Sequence, residues 1–175
     1  GMDIVSRISF AYNSVKNLEK LQASVLKTLN QMITDALRKN SIPPEKVYEI
    51  TFAGNTAMNH LLLGMPVDTL AVSPFHAVYH TLPEFAANDL GFQLNPNARA
   101  YVAPNIKSFV GGDISAGLQA LNLANLMGNC LFIDLGTNGE IVLKTGKKLV
   151  ATSTAAGPAF EGMNIHSGML ALPGA

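Results

Sequence analysis

Apolar residues recur at three- and four-residue steps from Leu18 to Ala36, through Leu21, Val25, Leu29, Met32 and Ile33. That period lays them on one stripe of a helix. It predicts the longest helix of the chain over 14–39, with Ser14 as N-cap and with Lys39-Asn40 and then Pro43-Pro44 as its end. The stripe is expected to pack on a sheet. Residues 47–53 are rich in β-formers (Val47, Tyr48, Ile50, Thr51, Phe52) and read as a strand. The strand runs into Gly54-Asn55-Thr56 and then a short apolar helix ending near Leu63, which makes a βα unit. Asn55 or Thr56 can cap that helix, or its N-terminus can face an anion; the cap is the commoner use.

The pattern loosens over 64–98, which carries Pro66, Pro74, Pro83 and Pro96. Short strands are expected near 68–72 and a helix near 83–90. Residues 99–103 read as a further strand, ended by Pro104. Val110-Gly111-Gly112-Asp113 then leads into a helix expected over 114–127, with Ser115, Ala116, Ala120 and Ala124 as its small residues. From Gly128 the period becomes that of strands. Cys130–Leu135, Glu140–Lys144 and Lys148–Thr152 read as a three-stranded meander. Asn138-Gly139 is a strong hairpin signal, because a type I′ turn needs φ > 0 at both central residues.

Candidate chemistry gathers on that hairpin. Asp134 closes an apolar strand, and Gly136 and Gly139 let backbone approach a ligand. The turn's N–H groups, with Thr137 and Asn138 as side-chain donors, can form a concave anion site. Asp134 could hold a hydrated Mg²⁺, which takes one or two carboxylates plus phosphate oxygens. The plain alternative is a capped hairpin. Asp113 also reads two ways, as an N-cap or as a carboxylate that orders an attacking water. Gly157, in the small-residue run 153–162, is either part of a close-fitting loop or a second glycine wall of a nucleotide cleft. His60 reads as a packed histidine. His76 and His80 have metal-ligand spacing but follow Pro74 and lack a third ligand.

Composition narrows the classes. Hydrophobic residues make up 48% of the 175 and charged residues 14%, which supports a core and argues against disorder. Twelve basic and twelve acidic residues cancel, so there is no basic footprint for nucleic acid. No apolar run reaches the ~18 residues of a membrane span. A cytoplasmic protein without membrane or nucleic-acid partner is expected. The single Cys130 excludes an internal disulfide and a cysteine-ligated iron–sulfur cluster within this chain. Gly1 before Met2 reads as a tag scar, and the chain is expected to be a piece of a larger protein.

The order of parts resembles the actin-like ATPase superfamily of sugar kinases, acetate kinases and heat-shock chaperone ATPases: a βα unit, a helix introduced by Gly-Gly-Asp, then Asp134-Leu135-Gly136-Thr137-Asn138-Gly139-Glu140 in a hairpin. The implied fold class is α/β, a fragment of a two-lobed, ribonuclease H-like ATPase fold. Residues 3–127 would form most of lobe one with the linking helix, and 128–175 the start of lobe two. The hairpin resembles the second phosphate motif of that superfamily. Asp113 falls where its sugar kinases carry a Gly-Asp catalytic carboxylate. Longer strings, Gly54–Gly64, Ser73–Phe75, Val110–Ala116, Phe132–Ile141 and Ser153–Gly162, are similar to one branch: the ferredoxin-fused reductive activators of corrinoid proteins.

The resemblance implies Mg-ATP as cofactor, with Asp113 and Asp134 catalytic, Asp134 holding Mg through water, and Gly136, Thr137, Asn138, Gly139 and Gly157 contacting nucleotide. It implies a [2Fe-2S] domain outside this fragment as electron source, and a corrinoid protein or other redox protein as partner. The first phosphate hairpin of the superfamily would lie before residue 3. The fragment alone is therefore expected to be inactive, and an exposed strand edge makes a homo-oligomer an expected outcome. A small-molecule kinase of the same superfold and a non-catalytic nucleotide-sensing or docking module are the competing readings.

Overall fold

The computed structural model describes residues 4–136 and 138–154. The elements run α1 (Ile4–Tyr12), α2 (Val15–Lys39), β1 (Glu49–Phe52), α3 (Thr56–Leu63), α4 (Asp68–Ala71), β2 (Phe85–Ala86), β3 (Arg99–Val102), α5 (Gly112–Ala120), β4 (Cys130–Leu135), β5 (Gly139–Thr145) and β6 (Lys148–Thr154). Single 3₁₀ turns lie at Pro44–Lys46, Ala87–Leu90 and Leu123–Asn125. The chain divides into two compact units between Gly117 and Leu118.

In the first unit the long helix forms as its period requires. Ser14 Oγ accepts the Lys16 N–H at 3.2 Å, which caps α2. Val25, Leu29 and Ile33 of the stripe, with Leu26 and Leu37, lie against a core of Leu62, Leu90, Phe92, Ala98, Ala100 and Val102. Leu18 and Leu21 reach a second cluster built on Leu61, Val67 and Leu70. Met32 departs from the stripe and is exposed. The sheet has strand order β1-β3-β2, with β1 and β3 parallel and β2 antiparallel. Phe52 of β1 meets the buried Phe92 with ring centroids 5.4 Å apart. Fully burying a Phe contributes roughly 1.5–3 kcal/mol; Phe92 is buried to that extent, and the partly buried α2 face adds a smaller share per residue.

Three segments differ from the sequence expectation, and a fourth, 4–12, had no element assigned to it. Residues 4–12 form α1, whose Ile4, Ile8 and Ala11 share one face and join the second cluster. Residues 68–71 are a helical turn, not a strand: Val67 and Leu70, three apart, are both buried, a helical rather than alternating step. Residues 83–90 give the two-residue β2 and a 3₁₀ turn instead of a helix, because Phe85 and Ala86 pair with Ala100 and Arg99. The helix expected over 114–127 begins earlier, at Gly112, and stops at Ala120. Asn122 in the left-handed region (φ 49°) then breaks it.

The second unit holds the expected meander, ordered β4-β5-β6. Its first turn is not the two-residue type I′ turn centred on Asn138-Gly139. Gly139 already belongs to β5, opposite Leu135 and Thr154. The strand pairing ends at Leu135 and Gly139, and the Gly136 N–H donates to Asn138 O at 3.0 Å. The second turn does carry a left-handed glycine, Gly146 at φ +58°.

Candidate functional site

Two places carry the candidate residues, one in each unit. In the first unit, parallel strands β1 and β3 end side by side at Phe52 and Val102. Each feeds a helix, α3 and α5. The carboxyl edge of parallel strands is where α/β sheets present ligand-binding turns. Here the two turns touch. A Cβ on Gly111 would lie 2.5 Å from Thr56 N and 2.6 Å from Asn55 Cα, and one on Gly112 2.5 Å from Ala103 O. The Gly-Gly pair therefore exists to let the start of α5 close on the start of α3.

Asp113 sits in that contact. Its backbone N–H donates to Gly54 O at 3.1 Å, and its Oδ1 accepts the Ile114 N–H at 2.8 Å. It is not the N-cap of the helix, since α5 already begins at Gly112. On α3 the cap is Asn55, whose Oδ1 accepts the Met58 N–H at 2.9 Å.

Beneath the turns runs a buried polar layer that sequence reasoning did not assemble. Thr56 Oγ1 donates to Lys107 O at 2.8 Å. Asn59 Nδ2 donates to Asn105 Oδ1 at 3.0 Å and to Ala103 O at 3.5 Å. His60, fully buried, stacks on Tyr79 with centroids 4.9 Å apart. The Tyr79 hydroxyl lies beside the Asn105 amide, and burial pushes the phenol up to about 12. His80 Nδ1 lies 3.2 Å from Asn105 O, so the His76/His80 spacing does not form a helix-borne ligand pair. Only the Asn59 and His60 positions, four and five residues past the Asn55 cap on a helix, hinted at this layer.

The His60 tautomer follows from its partners. Nε2 accepts the Val78 N–H at 3.1 Å, so the proton is on Nδ1, which donates to Thr56 O at 2.6 Å. Protonating Nε2 would set two donors against each other, and burial lowers the pKa. With a folded pKa below the unfolded value near 6.5, the unfolded chain binds more protons under acid. Stability from this site is thus complete above about pH 6.5 and is lost as pH falls from there through the folded pKa. The slope cannot exceed one proton's worth, about 1.4 kcal/mol per pH unit. Denaturant unfolding from pH 5 to 8 should show a shallower acid slope for His60→Gln than for the parent. Parallel curves would remove His60 from the acid sensitivity.

In the second unit the register of the hairpin brings out a residue that the sequence reading passed over. Asp134 stands opposite Glu140, and Glu140 opposite Ser153. Both carboxylates are half-buried, and Ser153 Oγ donates to Glu140 Oε1 at 3.0 Å. Three oxygen-bearing side chains thus cross the sheet in one row at the loop. A type I′ turn would have put Asp134 opposite Leu143 and hidden this row. Like charges directly opposite on a sheet are destabilising, whereas a hard cation such as Mg²⁺ favours one or two carboxylates with water and phosphate. The donor set fits Mg²⁺.

Gly136 and Asn138 lie exposed at the loop. Gly139 is buried, and a Cβ there would approach Thr154 Cγ2 at 3.2 Å. Thr137 and Gly157 lie outside the described residues. Cys130 is half-buried and pairs across the sheet with Lys144, whose Nζ donates to Gly128 O at 3.1 Å. Among the described residues no group of three or more His, Cys, Asp and Glu side chains could hold a metal, and no helix is long and apolar enough to cross a membrane.

The sequence matches the family described as the RACo middle region over residues 1–126, and the C-terminal domain of RACo, the ASKHA domain, over 128–175. The chain belongs to the RACo family. It is 34% identical to the corrinoid activation enzyme RamQ of Eubacterium limosum over all 175 residues, which are 29% of that protein. It is 40% identical over 92 residues to a [Co(II) methylated amine-specific corrinoid protein] reductase of Methanosarcina barkeri, covering 52% of this chain and 17% of that one. Its fold matches a solved reductive activator for corrinoid, iron–sulfur protein with TM-score 0.87 and 37% identity, covering 98% of this chain and 27% of the other. The chain thus spans under a third of the length of these relatives, and its fold is the expected α/β, actin-like ATPase fragment.

Proposed function

We propose that this chain is the central, nucleotide-handling part of an ATP-dependent reductive activator of a corrinoid protein, and that the intact protein acts in the cytoplasm. The observation that carries the reading is the end-to-end match to a corrinoid activation enzyme. It favours corrinoid activation over the kinase and docking-module readings.

In this proposal Asp134, with Glu140 beside it, holds Mg²⁺ through water. Thr137 and Asn138 offer donors to the phosphates, with Gly136 and Gly139 flanking them, and Gly157 borders the nucleotide. Bound Mg-ATP would supply hydrolysis energy to the reduction. Asp113 orders the attacking water or accepts its proton. The electrons come from a [2Fe-2S] domain outside this chain, since a lone cysteine cannot supply the four thiolates of a cluster. The partner is a corrinoid protein reduced from Co(II) to Co(I).

The test is reduction of a Co(II) corrinoid protein by the intact protein with ATP and a reductant, followed by the rise of the Co(I) absorption. No ATP-dependent Co(I) signal with any methyltransferase corrinoid protein would overturn the reading. A second arm isolates Asp113. Asp113→Asn keeps an Oδ1 acceptor for the Ile114 N–H but loses charge and basicity. ATP turnover should fall roughly 100-fold at unchanged stability, the size usual for lost acid–base help. Normal turnover would leave Asp113 a purely local hydrogen-bond acceptor.

A further inference from the structure

We infer that Asn59 is a positioning residue for Asp113, acting through the two glycine turns; the catalytic part of this rests on the role proposed above for Asp113. Asn59 is 2% exposed and lies one helical turn inside α3. Its carboxamide touches both turns. A Cβ on Gly54 would meet Asn59 Oδ1 at 3.0 Å, and one on Gly112 would meet Asn59 Nδ2 at 2.8 Å. The same Nδ2 donates to Ala103 O, one residue past the last β1–β3 pair, and to Asn105 Oδ1 on the path into α5. The backbone of Asp113 in turn hangs from Gly54 O. One side chain therefore sets the spacing between Gly54 and Gly112, and Asp113 follows directly on Gly112.

The chemistry requires an amide at this position. A leucine fills a similar volume without burying a polar group, and burying an amide is costly unless it is hydrogen-bonded. What leucine lacks is a donor for Ala103 O and Asn105 Oδ1, two acceptors in the segment that leads into α5. Aspartate keeps the shape but offers oxygen where Nδ2 donates, opposing both acceptors. The geometry assigns Asn59 to holding α5 at the height where Asp113 meets Gly54.

Two readouts test this in the full-length protein. The first is amide hydrogen exchange. In Asn59→Leu and in Asn59→Ser the Asp113 N–H should exchange at least 10-fold faster, with protection of β4–β6 unchanged. Unchanged Asp113 protection in both folded variants overturns the placement, whatever Asp113 does chemically. The second is a double-mutant cycle on ATP turnover. Asn59→Ser should lower kcat about 10-fold with KM for ATP within threefold, but lower it less than twofold in the Asp113→Asn background. Equal losses in both backgrounds would mean general damage and overturn the link to Asp113. If Asp113→Asn alone turns over normally, the catalytic role of Asp113 fails and only the exchange result bears on Asn59.

Discussion

Gly111→Ala is expected to cost the first unit about 3 kcal/mol or more, at the upper end of overpacking penalties. The added Cβ would lie 2.5 Å from Thr56 N, 2.6 Å from Asn55 Cα and 2.7 Å from Asn55 C. All three are backbone atoms, so no side-chain rotation relieves the clash. The backbone they belong to is fixed by the Asn55 cap and by Thr56 Oγ1 on Lys107 O. Relief requires α5 to move away from α3, which stretches the Asp113–Gly54 hydrogen bond. Gly136→Ala is the matched control, because its Cβ meets only Asn138 O at an ordinary 3.5 Å. Denaturant midpoints for the two variants should separate widely. A Gly111→Ala loss within about 0.5 kcal/mol, the size of a neutral surface change, would mean that the two turns are not in the contact described.

The same glycines show how much of the fold could be read beforehand. The helix over 14–39, the β1–α3 unit, β3 and the three-strand meander all follow from runs long enough to show a period. What the sequence hid was short or set by distant partners. β2 is two residues long and exists through pairing with β3. The helical turn at 68–71 is too short to show a period. The long α5 expected from small residues is cut where Asn122 turns left-handed, and no pattern signals that choice. Val110-Gly111-Gly112-Asp113 read as a helix entry, with Asp113 either capping the helix or serving as a working carboxylate. The glycines instead serve a contact with Asn55 and Thr56, more than 50 residues earlier, and shift the helix start one residue ahead of Asp113. Glu140 escaped notice for a related reason. A register is a relation between two strands, and reading Asn138-Gly139 as the turn centre placed the wrong residues opposite Asp134.

Asp134→Asn in the intact protein should lower Mg-dependent ATP turnover about 100-fold, equivalent to roughly 2.7 kcal/mol of barrier, while leaving stability unchanged or slightly raised. The two signs come from one geometry. Asp134 and Glu140 stand opposite on adjacent strands, and like charges so placed destabilise a sheet by a few tenths of a kcal/mol up to about 1. Asparagine keeps the size and the strand position and removes that repulsion. A purely structural Asp134 would therefore show a small gain in stability and no loss of turnover. A carboxylate that holds hydrated Mg²⁺ has the opposite need, because charge beside the cation is what the amide lacks. The Mg²⁺ concentration for half-maximal turnover should rise as well, and Glu140→Gln should move it in the same direction. Salt dependence gives a further check, since stability gained from relieved repulsion at a half-exposed pair shrinks as ionic strength rises. Parent-like turnover and Mg²⁺ dependence in Asp134→Asn would reduce the hairpin to a structural meander and remove Asp134 from the nucleotide site.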